Sequence, residues 1–140
     1  MKQIPVIFWT GTGNTQMMAD AIAEAINAAG AEAVVKNVSE ITADEAAGYD
    51  ALALGCPAMG AEVLEECEFE PFFTELEGKL AGKKVAIFGS YGWGGSYMQD
   101  WEARVKDAGA TLVADGVLAL GAPDDEAMAQ LTEAGKLLAE

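Results

Sequence analysis

Histidine is absent from this 140-residue chain. Without imidazole there is no His-ligated zinc, no Ser-His-Asp triad and no histidine general base. Cysteine occurs twice, as Cys56 and Cys67. Two are too few for a disulfide framework and suit free thiols in a reducing cytoplasm. Cations are scarce: eight Lys and Arg against 23 Asp and Glu leave a net charge of −15. Phosphate-rich partners need cationic neutralisation, so nucleic acid and anionic membrane surfaces make poor partners. A basic protein is steered toward such a chain, although solubility alone is the plainer use of the charge. No apolar run reaches the ~18 residues of a membrane span, and the opening residues lead to the expectation of no signal peptide.

What is present is an ordinary globular composition, 51% apolar and 22% charged, at a length expected to form one domain, 1–140. A chain of this size buries enough surface to need no disulfide or metal staple. Short apolar runs at 4–9, 33–38, 51–55 and 85–89 predict strands. A fifth is expected over 111–120, bent around Gly116. Pro5 limits pairing near the start of the first. Helical spacing marks 14–28, closed by Gly30, then 42–47, 70–80 after Pro71, and 97–108. Met128, Leu131, Gly135 and Leu138 line one face of a last helix, with Asp124 and Asp125 at its positive end. Strands that alternate with helices and are apolar on both faces imply an α/β fold, a parallel sheet covered on both sides. Such sheets take ligands beyond the carboxyl ends of their strands.

Three strand ends carry unusual loops. The first is Thr10, Gly11, Thr12, Gly13, Asn14 and Thr15. Its hydroxyls and backbone N–H groups gather at a helix N-terminus, where partial positive charge favours an anion. A capped turn holding nothing is the alternative. A triphosphate loop needs a lysine that is missing here. A dinucleotide fingerprint wants glycine where Gln16 stands and an acid where Lys36 and Asn37 stand. A monophosphate held by neutral donors fits better than either. The second loop, Cys56 through Glu62, is too long for a simple connection, and the third sets Trp93 among Gly92, Gly94 and Gly95. Met59 and Trp93 can sandwich a flat ring between a thioether and an indole face; gap filling by Met59 and a lid role for Trp93 are the structural alternatives. Cys56 reads as a buried packing thiol, and Tyr91 and Trp101 as packing residues.

The stretches TGTGNT, GCPAMGAEVLEECEFEPFF and GKKVAIFGSYGWG resemble the short-chain flavodoxins of anaerobic bacteria, and the order of strands and helices agrees over the whole length. The resemblance implies a flavodoxin-like doubly wound sandwich, with a five-stranded parallel sheet in the order 2-1-3-4-5 and helices on both faces. It implies a low-potential one-electron carrier that binds one FMN non-covalently and works through a neutral semiquinone and an anionic hydroquinone. No catalytic residue and no metal are expected. By motif, Thr10, Gly11, Thr12, Gly13, Asn14 and Thr15 cradle the 5′-phosphate. Met59 lies on the inner face of the ring and Trp93 on the outer. Glu62 accepts from the flavin N3–H, and backbone N–H groups of Gly92, Trp93 and Gly94 meet N1 and O2. Gly60 turns its carbonyl to N5–H after the first electron and proton. Pro57, Ala58, Ala61, Ser90 and Tyr91 complete the binding segments.

The second electron creates an anion near seven acids, Glu62, Glu65, Glu66, Glu68, Glu70, Glu75 and Glu77, which along the chain meet no cation before Lys79. A charge at ~10 Å costs roughly 0.4 kcal/mol in water and ~1.7 kcal/mol at an effective dielectric of 20. With ~59 mV for each ~1.4 kcal/mol of one-electron chemistry, several such charges lower the final potential on the order of 100 mV. A solvated helix face is the alternative role for these acids. Ala61 departs from many relatives; a type II turn there requires positive φ, which alanine resists. A weaker N5 hydrogen bond and a less populated semiquinone are expected than with glycine, so Ala61→Gly should widen the separation of the two potentials. The implied partners are redox proteins with basic patches, ferredoxin or flavodoxin reductases and iron–sulfur oxidoreductases, met by a cytoplasmic monomer. An FMN-dependent NAD(P)H reductase is the rival class, separated by an assay with nicotinamide alone. A phosphoacceptor receiver would need acids where Thr10 and Gly11 stand.

Overall fold

A strand that is apolar at successive positions, rather than at every second one, has both faces covered. β1 (Gln3–Phe8) is such a strand: every residue after Gln3 is buried. The computed structural model describes residues 2–11, 13–57, 64–65, 67–91 and 96–140. Within them follow α1 (Asn14–Ala28), β2 (Glu32–Asn37), a 3-10 turn (Val38–Glu40), α2 (Ala43–Ala46), β3 (Ala51–Gly55) and α3 (Phe69–Glu77). Then come β4 (Lys84–Tyr91), α4 (Ser96–Asp107), β5 (Thr111–Leu112), β6 (Val117–Leu120) and α5 (Asp125–Ala139).

The strands pair in parallel in the order β2-β1-β3-β4-β5, with β6 also on β4. This is the expected 2-1-3-4-5 order. β2 runs along β1 from Gln3↔Glu32, whereas β3 joins β1 only from Val6↔Ala53. Pro5 has no N–H to give a ladder. Side chains alternate between two cores. Ile4, Val6, Phe8, Ala51, Ala53, Ala86 and Phe88 face α1 and α5, through Met18, Ile22, Ile26, Leu131 and Leu138. Ile7, Leu52, Leu54, Val85 and Ile87 face the other layer, through Ala46, Phe73, Leu76, Trp101 and Val105. Trp101 lies edge-on to Phe69 and Phe73, at centroid distances of 5.5 and 5.9 Å, the packing role expected of it.

The single fifth strand over 111–120 is corrected to two segments. β5 meets β4 at Lys84↔Thr111, and β6 rejoins it at Phe88↔Val117. Between them the Gly116 N–H donates to the Glu102 carboxylate of α4 at 2.7 Å instead of to a strand. The bend therefore sits where the glycine stands. The 3-10 turn was not anticipated; Asn37 and Glu40 cap it reciprocally, as Thr42 and Glu45 cap α2. α1 ends with Gly30 N–H on Asn27 O and Ala31 N–H on Ile26 O, both 3.2 Å, a Schellman closure at the predicted glycine. Asp124 caps α5 by accepting from Ala127 N–H at 2.8 Å.

Candidate functional site

The strand order reverses between β1 and β3: the chain leaves β1 toward β2 and returns on the other side of β1. Open α/β sheets have their ligand crevice at such a point, beyond the carboxyl ends of the strands. The three loops singled out in the sequence follow β1, β3 and β4, which are neighbours in the sheet.

The first loop leads into α1 through Gly13, whose φ of +92° belongs to the left-handed region. An L side chain there is strained. Among the described residues no side chain caps α1, and its first turn holds no acid. The opening N–H groups of a helix have no partner inside it, so this end is left to whatever accepts from outside. Thr10 Oγ1 accepts from Gly13 N–H at 2.9 Å, which folds the loop back on itself. Gly11 is exposed beside the Trp9 indole; a Cβ at Gly11 would lie 3.1 Å from that ring. Asn14 opens α1 half-buried. Thr15 and Ser90 are buried, at 1% and 5% exposure, and their hydroxyl oxygens are 3.3 Å apart. Of the three threonine hydroxyls expected to converge, that of Thr15 is thus turned to β4, and Thr12 lies outside the described residues.

Tyr91 ends β4 half-buried and its carbonyl accepts from Gly121 N–H at 3.0 Å. Pro57 follows β3, also half-buried. Ala58, Met59, Gly60, Ala61, Glu62, Gly92, Trp93 and Gly94 lie outside the described residues. The described residues therefore bring together Thr10, Gly11, Gly13, Asn14, Thr15 and Ser90 around one helix end, with Pro57 and Tyr91 at the adjoining strand ends.

The acidic segment is not the uncompensated row expected from the order of the chain. Arg104, the sole arginine, reaches it from α4. Its guanidinium donates to both Glu70 oxygens at 2.7 and 2.8 Å and to both Glu77 oxygens at 3.1 Å, and lies 4.7 Å over the Phe73 ring. The hydrogen bond from Arg104 holds the Glu70 carboxyl below its usual range against the opposing effect of partial burial. Arg104 is correspondingly raised, first by Glu70 and then by Glu77. Lys79 pairs with Asp44 instead.

Glu65 is not a rim acid either. It is 6% exposed, and its carboxylate accepts from Cys67, Glu68 and Phe69 N–H at 2.8, 2.6 and 2.9 Å, closing the start of α3. Burial pushes its pKa up, the backbone donors pull it down, and the donors win. Glu68 accepts from the Trp9 indole N–H at 3.2 Å. These roles were missed from the sequence. The available signals were the uniqueness of Arg104 and an acid four positions before the apolar face beginning at Phe69. Cys56 and Cys67 are free thiols, the first buried and the second exposed.

A group carrying a phosphate fits this donor set: a helix end left uncapped, a glycine in the left-handed region, hydroxyls within the loop, and no Lys or Arg anywhere in it. The family described as Flavodoxin matches residues 6–135. A flavodoxin from Clostridium beijerinckii is 47% identical over 135 residues, 96% of this chain and 97% of the relative. One from Megasphaera elsdenii is 47% identical over 116 residues, 82% and 85% of the two chains. The solution structure of two-electron reduced Megasphaera elsdenii flavodoxin aligns with a TM-score of 0.89 at 43% identity, covering 97% and 98%.

Proposed function

The chain belongs to the flavodoxin family, and from that premise we propose that it holds FMN at the β1/β3 crossing, a position for which flavodoxins are themselves a standard example. The protein is an FMN-binding electron carrier rather than an enzyme, working with redox partners. Bound FMN supplies the one-electron chemistry. The protein's own residues bind, orient and shield it.

In this reading Thr10, Gly11, Thr12, Gly13, Asn14 and Thr15 receive the 5′-phosphate, with the Thr15–Ser90 contact tying the cradle to β4. Met59 covers the inner face of the ring and Trp93 the outer. Glu62 accepts from N3–H, Gly92, Trp93 and Gly94 offer N–H groups to the pyrimidine edge, and Gly60 offers its carbonyl near N5. Pro57, Ala58, Ala61 and Tyr91 flank these contacts. Neutral donors hold the phosphate without adding positive charge, which would make reduction easier and raise the potential. The observation that carries the reading is the α1 N-terminus, which among the described residues has no capping side chain, holds no acid in its first turn and is entered through Gly13 at positive φ.

The partners proposed are redox proteins with basic patches, reductases and iron–sulfur oxidoreductases, attracted by the net charge of −15. No helix among the described residues is long and apolar enough to cross a membrane. A single-domain monomer acting in the cytoplasm is the proposed setting, supported by the two free thiols.

Titrating FMN-free protein with FMN and with riboflavin tests the cradle. Two charge-assisted hydrogen bonds to the phosphate, at about 1.5 kcal/mol each, correspond to FMN binding roughly a hundredfold more tightly. Equal affinities would overturn it.

A further inference from the structure

The connection between β3 and α3 is tied at both described ends by a contact that none of the roles above uses. Cys56 is fully buried directly after β3, and Glu65 is buried four positions ahead of Phe69. The Glu65 N–H donates to Cys56 Sγ at 3.3 Å, and the thiol points its own proton toward Pro57 O at 3.5 Å. Burial pushes the Cys56 thiol up to about 12, so it remains an uncharged S–H across neutral pH and meets Glu65 as a neutral acceptor. Each end is also held independently. Cys56 N–H donates to Phe88 O at 3.0 Å, and the Tyr97 hydroxyl donates to Cys56 O at 2.8 Å. On the other side, the Glu65 carboxylate is fixed by the N–H groups of Cys67, Glu68 and Phe69 where the chain enters α3, and the Glu65 backbone carbonyl accepts from Glu70 N–H at 2.8 Å.

We propose that Cys56 and Glu65 are positioning residues for FMN: the N–H···S contact between them aligns the two ends of the connection that carries Met59, Gly60 and Glu62, and thereby sets the separation of the two one-electron potentials. The proposal rests on the reading that this connection faces the ring. The physical argument concerns differences between redox states. A contact that binds all states equally alters affinity but not their ratio, whereas one that constrains a segment meeting the states differently alters the ratio. A tie between the two ends is such a constraint, because closing a segment reduces the conformations open to the chain between them. Removing the sulfur leaves the Glu65 N–H buried without an acceptor, at a cost comparable to one hydrogen bond. The strand end itself stays in place, because Phe88 O and the Tyr97 hydroxyl hold it by the backbone N–H and carbonyl of Cys56.

The test uses the FMN-loaded full chain. Cys56→Ala and Cys56→Val both remove the acceptor, one with too little volume and the other with slightly too much, so a change common to both belongs to the hydrogen bond. If one variant fails to fold, the other still decides. Cys56→Ser keeps an acceptor for Glu65 and a donor for Pro57 O and serves as the conservative rescue. Ala61→Gly, within the connection, reports separately on whether that connection meets the cofactor. Both one-electron potentials are measured by spectroscopic titration, together with amide exchange at Glu65 in FMN-free protein.

The expected result is a change of about tenfold in the ratio of the two one-electron equilibrium constants in both acceptor-free variants, equal to ~59 mV. Faster exchange at Glu65 should accompany it, and serine should restore both. Faster exchange with unaltered potentials would overturn the proposal, since the contact would then be structural alone. Potentials that move in Ala61→Gly but not in the Cys56 variants would overturn it while leaving the cofactor reading intact. Potentials unmoved in all variants would overturn both.

Discussion

Gly89 illustrates how a single missing Cβ decides what the site can be. It sits in β4 behind Cys56, and a Cβ there would lie 2.0 Å from Cys56 O and 2.2 Å from the Tyr97 hydroxyl. Both atoms belong to the hydrogen bond that holds the end of β3. Gly89→Ala is expected to destabilise the protein by about 3 kcal/mol in urea unfolding, as overpacking of a closed core does. Gly78→Ala is the control: its φ is −73° and nothing lies within 4 Å of the added carbon, so it should be neutral or stabilise by about 0.5 kcal/mol. Glu65 carries the second prediction at this scale. Its folded pKa lies below the ordinary carboxyl value because three backbone donors outweigh burial. A depressed carboxyl pKa contributes stability at pH values above the unfolded pKa of about 4.3, and that contribution disappears as pH falls through the folded value. Glu65→Gln should therefore cost about 1–3 kcal/mol at neutral pH, and the gap from the unaltered protein should close in acid. A gap independent of pH would show that the charge of Glu65 does not matter.

At the scale of elements, α3 and α4 are held together by the one arginine of the chain. Arg104 grips Glu70 and Glu77, one on the first turn of α3 and the other at its last residue, and covers Phe73 with its guanidinium. The three charged side chains are about one-third exposed, so solvent weakens each pair. A bidentate geometry combined with a cation–π contact nevertheless makes roughly 1–2 kcal/mol a reasonable sum. Arg104→Gln is expected to lower stability by that amount at pH 7. Because Glu70 titrates below its usual range beside this arginine, the loss should shrink as acid protonates the carboxylate. Unfolding curves measured from neutral to acid pH would reveal it; equal losses at both ends would exclude the ion pairs as the source. This tie also alters the electrostatic argument, since the single Arg104 charge offsets one of the two carboxylate charges of Glu70 and Glu77, and the cluster adds less repulsion to reduction than two unpaired acids do.

For the whole molecule, a net charge of −15 governs encounters more than folding. Electron transfer with a basic redox partner is expected to slow roughly tenfold as ionic strength rises from about 0.01 M to about 1 M, where the screening length shrinks from ~30 Å to ~3 Å. Stopped-flow mixing of reduced partner with oxidised protein measures this. A rate insensitive to salt would mean that contact geometry, not charge, controls the encounter. Nicotinamide alone should not reduce the protein on the same time scale; turnover without a reductase would favour the rival enzyme class.

Much of this architecture was legible from residue order. Apolar runs at 4–9 and 51–55 are strands because burial on both faces needs apolar residues at consecutive positions. Gly30 and Asp124 end and begin helices because backbone conformation and capping are local properties. The glycine-bearing entry to α1 could be anticipated for the same reason, being a strand end, a turn and a helix start close together in sequence. What residue order left open depends on atoms distant along the chain. The split of the fifth strand required Glu102 to capture the Gly116 amide, and the compensation of Glu70 and Glu77 required α4 to pack beside α3. Glu65 looked like its acidic neighbours until the start of α3 folded around it. The sequence by itself determined the alternation of elements, the family and the glycine-led start of α1, because these follow from local periodicity, motif and backbone chemistry. Only tertiary structure decided which charges are matched, which acid is buried and which thiol meets which amide, because Coulomb and hydrogen-bond energies depend on distance in space rather than on separation along the chain.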